Sequence, residues 1–138
     1  MSQHTDPQNG LIETFGPNTT AAEAADRLEA AIGASDGANV VARVDHSAGA
    51  HKVGLELTPT IEVLFGNPTG GTPLMYINPT VAIDLPQKVL IIETPEGVRV
   101  FHNDPLYLAN RHGIPADTAE IQAFVGGLQK LANVAAGI

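Results

Sequence analysis

Between Lys88 and His102 the chain reads KVLIIETPEGVRVFH, and this run restricts the fold more than any other. Val89-Leu90-Ile91-Ile92 is apolar on both faces of a strand, so each face needs a cover, from the same chain or from a partner. Thr94-Pro95-Glu96-Gly97 places Pro and Gly where a tight turn uses them. Val98 to His102 then returns antiparallel as the other half of a hairpin. A chain organised around such a hairpin is a sheet protein.

Three more strands are readable. Leu11 to Phe15 is short and stops at Gly16-Pro17. Val40 to Asp45 is rich in β-branched residues and leads into a 45–51 loop. Ile61, Val63 and Phe65 alternate with Glu62 and Leu64, the period of a half-buried strand.

Helices fill the connections. Thr20-x-x-Glu23 is a capping-box pattern, and Ala24, Ala25, Leu28, Ala31 and Ile32 follow at helical spacing, with Gly33 or Gly37 as the stop. Thr72-Pro73 and Asn78-Pro79 each set a capping residue before a proline, which suits a first helical position. Two short helices are therefore expected within 72–86. Asp104-Pro105 opens another over 105–112, ended by Gly113. Asp117 opens the last, with Ile121, Phe124, Val125, Leu128, Leu131 and Val134 along one stripe. Gly126-Gly127 inside it costs roughly 2 kcal/mol relative to Ala, which predicts a close backbone approach there. The fold class is α+β: an antiparallel sheet of four to five strands, with the N- and C-terminal helices on one face. Residues 11–138 form a single domain behind a disordered tail over 1–10.

Composition narrows the function. The net charge is −8, from seven Lys and Arg against fifteen Asp and Glu. That balance argues against nucleic acid, whose phosphates are held by Lys and Arg. Without cysteine there is no disulfide, thiolate metal site or Cys nucleophile. No apolar run approaches the ~18 residues of a membrane span, and residues 1–10 lack a signal-peptide pattern. The expected setting is cytoplasmic, away from membranes.

The candidate chemistry sits in few places. Gly66-Asn67-Pro68-Thr69-Gly70-Gly71-Thr72 follows a strand and precedes a helix start, where backbone amides can converge on an anion. Thr72 stands where a phosphate-binding loop needs Lys, so nucleotide hydrolysis is excluded. Asp45 and His46 are adjacent in an extended segment and point to opposite faces. His46, His102, His112 and Met75 reach a common metal or haem site only through tertiary folding. Tyr107 can direct its hydroxyl toward the same cleft, and no Ser forms a nucleophile elbow.

Several motifs in one order resemble the domain of unknown function 302 family. They are Asp45-His46 with Ala48 and Ala50, Gly54-Leu55-Glu56-Leu57-x-Pro59, and Phe65-Gly66-Asn67-Pro68. Gly71-Thr72-Pro73-Leu74-Met75, Asp84-Leu85-Pro86, Asn103-Asp104-Pro105, Tyr107-Leu108-Ala109 and Arg111-His112 continue the series. The resemblance implies a β-α-β(4)-α domain related to the TATA-binding-protein-like architecture, and a homodimer. Where the family carries Tyr, this chain has His102.

The expected function is a non-enzymatic small-ligand-binding or sensory module acting as a homodimer, taking a small polar or anionic ligand. Its pocket is expected where the 45–51 loop meets the 66–75 turn, lined by His46, Asn67, Gly71, Thr72, Met75, His102 and Tyr107. No metal, catalytic residue or defined cofactor is assigned. One alternative is an enzyme with His46 as general acid/base and the 66–72 amides as anion site; the other is a structural interaction domain.

Overall fold

A computed structural model describes residues 3–6 and 9–138. Strands β1 (Gln3–Asp6), β2 (Leu11–Pro17), β3 (Asn39–Asp45), β4 (Thr60–Gly66), β5 (Gln87–Thr94) and β6 (Gly97–Asn103) form one antiparallel sheet in the order β1-β2-β6-β5-β4-β3. The five anticipated strands are all present. Gln3–Asp6 adds a short edge strand inside the segment expected to be a disordered tail; Met1, Ser2, Pro7 and Gln8 lie outside the described residues.

Helix α1 (Ala21–Ala34) begins as anticipated. The Thr20 side chain accepts from the Glu23 amide and Glu23 reaches back to the Thr20 N–H. From β5, the Glu93 carboxylate accepts the Ala21 amide at 2.8 Å, placing negative charge at the positive helix end. The helix runs through Gly33 to Ala34, so Gly33 does not stop it.

The last helix, α5 (Ala119–Ala136), starts behind Thr118 rather than at Asp117 and ends on Gly137 in the left-handed region (φ 77°). Its final carbonyls are met from α1: Arg27 donates to the Ala135 carbonyl at 2.7 Å and the Val134 carbonyl at 3.2 Å. A cation at that end also complements the helix dipole.

Both helices lie on one face of the sheet. Ala21, Ala24, Ala25, Leu28 and Ile32 of α1 meet Leu128, Ala132, Ala135 and Ala136 of α5 over Ile61, Val63, Val89, Ile91, Val98 and Val100. The alanines carry no bulk beyond Cβ, so the helices pack close to each other and to the strands. Gly16 of β2 lies against the Ala136 backbone, where a Cβ would collide. Val89 and Ile91 are fully buried beneath the helices, while Leu90 and Ile92 are half-buried on the opposite face. On that face the Arg99 guanidinium stacks 4.9 Å from the Phe101 ring and pairs with Glu13.

Three local expectations change. The 45–51 segment is a helix, α2 (His46–Lys52), capped by Asp45, which accepts from the Ala48 amide and the Ser47 hydroxyl. Those two bonds, the hydroxyl first, hold the Asp45 carboxyl below its ordinary range. The next helix, α3 (Pro68–Ile77), begins behind Asn67, not Thr72. Asn67 caps it by accepting from the Thr69 amide, Pro68 takes the first position, and Pro73 lies inside it without an amide to donate. The third concerns Gly126 and Gly127, where a Cβ would meet nothing within 4 Å. Nothing approaches them closely. The 3-10 turn Pro79–Asp84, capped by Asn78, and helix α4 (Pro105–Arg111), capped by Asp104, form where expected.

Replacing Arg27 by Met keeps the stem and removes both carbonyl contacts with α5. Hydrogen bonds to a charged group are worth about 1.5–3 kcal/mol. Chemical denaturation should therefore show a loss of about 2 kcal/mol, and an unchanged midpoint would mean that α5 is held by packing alone.

Candidate functional site

A cavity of ≈ 410 Å³ opens at the end of the helical layer, between α1, α3 and α5. Ile32, Ser35 and Ala38 come from α1 and the turn after it. Phe65, Gly66 and Asn67 end β4; Pro68, Gly71, Thr72 and Met75 belong to α3; Ala82, Leu85, Pro86 and Gln87 lead into β5. Phe124, Gly127, Leu128 and Leu131 of α5 complete the wall. Its floor is the cross-strand pair Phe65 and Gln87. The lining is mostly apolar, and no lining side chain carries a charge.

Small residues make the space. Gly127 is exposed at the rim, and a Cβ there would meet nothing within 4 Å. On α3, a Cβ at Gly71 would sit 3.4 Å from Leu85, and one at Gly70 would sit 3.1 Å from the Phe124 ring. Glycine at these positions lets the first turn of α3 come down onto α5 and the β5 approach.

The anticipated site residues divide into two groups. Asn67, Gly71, Thr72 and Met75 line the cavity; His46, His102 and Tyr107 do not. His46 opens α2, is about half exposed, and its Nε2 lies 3.1 Å from Glu62. Tyr107 covers Gly10, whose positive φ of 72° places its α-carbon under the ring. The convergence of the 45–51 segment with the 66–75 segment therefore does not form.

The 66–72 segment also presents no amide nest. The Thr69 amide is held by the Asn67 side chain, and those of Gly70 and Gly71 donate to the Asn67 carbonyl at 2.9 and 3.0 Å. A glycine-rich turn and a proline-led helix look alike in sequence; Pro68 at the first position and a capping Asn67 were the distinguishing signal.

A polar knot braces the wall that carries Ala82, Leu85 and Pro86. Asp84 takes His112 Nε2 at 2.5 Å and Arg111 at 3.1 Å. Thr80 Oγ1 lies 2.9 Å from His112 Nδ1, and Asn78 Nδ2 donates to the His112 carbonyl at 2.6 Å. This knot fastens the 3-10 turn to the end of α4. His46, His102, His112 and Met75 do not share a site, and no group of three His, Cys, Asp or Glu able to hold a metal occurs among the described residues.

His102 lies beneath the helical layer, only 3% exposed, between Ile12 and Val89 in the neighbouring strands. Its Nδ1 has no hydrogen-bond partner among the described residues. Burial pushes its pKa down to about 4, against a smaller upward pull from Asp104.

Residues 15–134 match the family model described as a domain of unknown function, DUF302. The chain belongs to the DUF302 family. An uncharacterised DUF302 protein from Bacillus stearothermophilus has a crystal structure that superposes with a TM-score of 0.72 at 18% identity, covering 93% of this chain and 96% of that one. That likeness confirms the α+β fold. Curated relatives named "Fluoride-specific ion channel FluC 1", from Brucella suis biovar 1 and Brucella abortus biovar 1, are 43% identical over 132 residues. The match takes 94% of this chain and 51% and 48% of those proteins, so the chain spans about half the length of the relatives. No helix among the described residues is long and apolar enough to cross a membrane.

His102 generates a pH prediction. Unfolded, it titrates near 6.5, and folded near about 4. Between those values only the unfolded chain takes up the proton, so stability falls as pH drops through this window and is unaffected by His102 above it. The loss reaches on the order of 3 kcal/mol near pH 4. Denaturation of His102→Leu should lack this slope; an equal slope in the variant would assign it to other groups.

Proposed function

We propose that this domain is a non-enzymatic binding module whose small ligand occupies the cavity between α1, α3 and α5. The supporting observation is the cavity itself. It has the size of a small-molecule site, and its lining holds no His, Asp, Glu, Lys, Arg or Tyr to act as acid, base or nucleophile. Acid/base work at His46 has an oriented pair with Glu62 in its favour, but that pair lies outside the cavity. The mostly apolar walls favour an apolar ligand over the polar or anionic one anticipated from the glycine-rich segment.

The module acts as a homodimer in this reading. Leu90, Ile92 and Phe101 on the face away from α1 and α5 are half-buried, and Val41, Val53, Leu55 and Leu57 are exposed on β3 and after α2. A second copy would cover such surface by a two-fold contact. Light scattering at micromolar concentration should give twice the mass of one chain, and a single-chain mass rules the dimer out.

The names of the curated relatives attach to whole proteins of about twice this length. We assign conduction in them to the half that this chain does not match, and a ligand-responsive role to the matched half.

Gly127→Leu tests the cavity directly. The new side chain starts at the exposed rim of the cavity, where an added Cβ meets nothing within 4 Å, and a helix interior gains about 1 kcal/mol when Gly is replaced by a better helix former. The variant should melt at or above wild type. Butylbenzene, an apolar probe, should raise the melting midpoint of wild type and leave that of Gly127→Leu unmoved, because stabilisation by ligand follows binding to the native state. An equal response in both would place the probe elsewhere.

A further inference from the structure

We infer that the ligand is neutral, with an apolar body and one hydrogen-bonding group that meets the side-chain amide of Gln87. This rests on the reading of the cavity as a binding site, and goes beyond it to the chemistry of what is bound.

Gln87 opens β5 on the helix-covered face, in line with Val89 and Ile91. The residue is 8% exposed and stands beside Phe65 on the cavity floor. Its backbone belongs to the sheet, but its carboxamide makes no hydrogen bond to any described residue. A carboxamide carries an acceptor oxygen and two donor hydrogens. That carboxamide is not among the buried polar atoms left without a partner, so it reaches the cavity, where water or a bound group can meet it. Among the other polar side chains of the lining, the Ser35 hydroxyl donates to the Ala31 carbonyl and Asn67 caps α3, while the Thr72 hydroxyl is a second polar group, on the α3 wall rather than on the floor. Gln87 is the group on the floor with capacity to spare.

Neutrality follows from the rest of the lining. No charged side chain faces the cavity, and the ammonium of Lys88, the next residue, is turned to the Asp84 and Pro86 carbonyls. An ionised ligand would lose its water and find no opposite charge. A neutral amide, alcohol or ketone with a hydrocarbon or aromatic body satisfies both the walls and Gln87.

The test is titration calorimetry of the full chain at pH 7 with four probes sharing one body: butylbenzene, 4-phenylbutanamide, 4-phenylbutanoate and 4-phenylbutylammonium. The amide should bind about tenfold more tightly than butylbenzene, the factor one net hydrogen bond supplies, and both ions more weakly than butylbenzene. Gln87→Met, close in shape, should lose the roughly tenfold preference for the amide over butylbenzene, whatever its absolute affinity for either. Either ion binding as tightly as the amide, or Gln87→Met keeping the preference, overturns this inference and leaves the binding reading standing. Failure of all four probes to bind wild type overturns both. The ranking on the unaltered chain is decisive even if the variant does not fold.

Discussion

The close packing of α1 and α5 over the middle of the sheet is the constraint on which the rest of this domain depends. Val89, Ile91, Val98 and Val100 are removed from water only because two helices lie across them, and the helices fit side by side because their contacting positions are largely Ala. Neither helix is fastened by local bonds alone. Glu93 reaches from the sheet to the start of α1, and Arg27 reaches from α1 to the end of α5. The sheet, the first helix and the last are thus joined by charged groups set against helix termini, where each charge also finds a favourable dipole.

The cavity follows from where that packing ends. Alanine contacts give way to Leu128, Leu131 and Phe124 on α5, with Gly127 among them, and α3 supplies the opposite wall. A void in so small a core lacks the contacts that close packing would provide, and filling it is a ready way to raise stability. Gly127, exposed at the rim of the void, and Gln87, polar on its floor, both depart from what packing alone would select. Function often resides in such departures. The Asp84–His112 knot has the opposite character. It satisfies nearly every group it buries and holds the 3-10 turn, so that Leu85 and Pro86 form a fixed wall.

His102 shows the cost of a polar side chain in this core. Its ring is close to fully buried and its Nδ1 has no partner among the described residues. The result is a neutral imidazole whose protonation accompanies unfolding. It contributes to stability at neutral pH only by staying uncharged.

Much of the fold was legible in the sequence because the signals that define it are local. The Thr20–Glu23 capping box, the Asn78 and Asp104 caps before proline, and the Gly97 turn each act within a few residues, and all stand where the sequence places them. Strand alternation at Ile61, Val63 and Phe65 likewise gave the buried face directly. The start of α3 was misplaced because two candidate caps, Asn67 and Thr72, both precede proline, and choosing between them depends on how Gly70 and Gly71 pack against Phe124 and Leu85. The site was legible only in part. Asn67, Gly71, Thr72 and Met75 could be picked from their unusual local run, whereas Gln87, Gly127 and Leu131 come from distant segments and reveal nothing until the chain closes around them. Capping, turns and alternation are properties of neighbours along the chain, so the sequence by itself determined the elements and the core face. An empty volume belongs to no segment, so only the tertiary structure decided where the cavity lies and which polar group faces it.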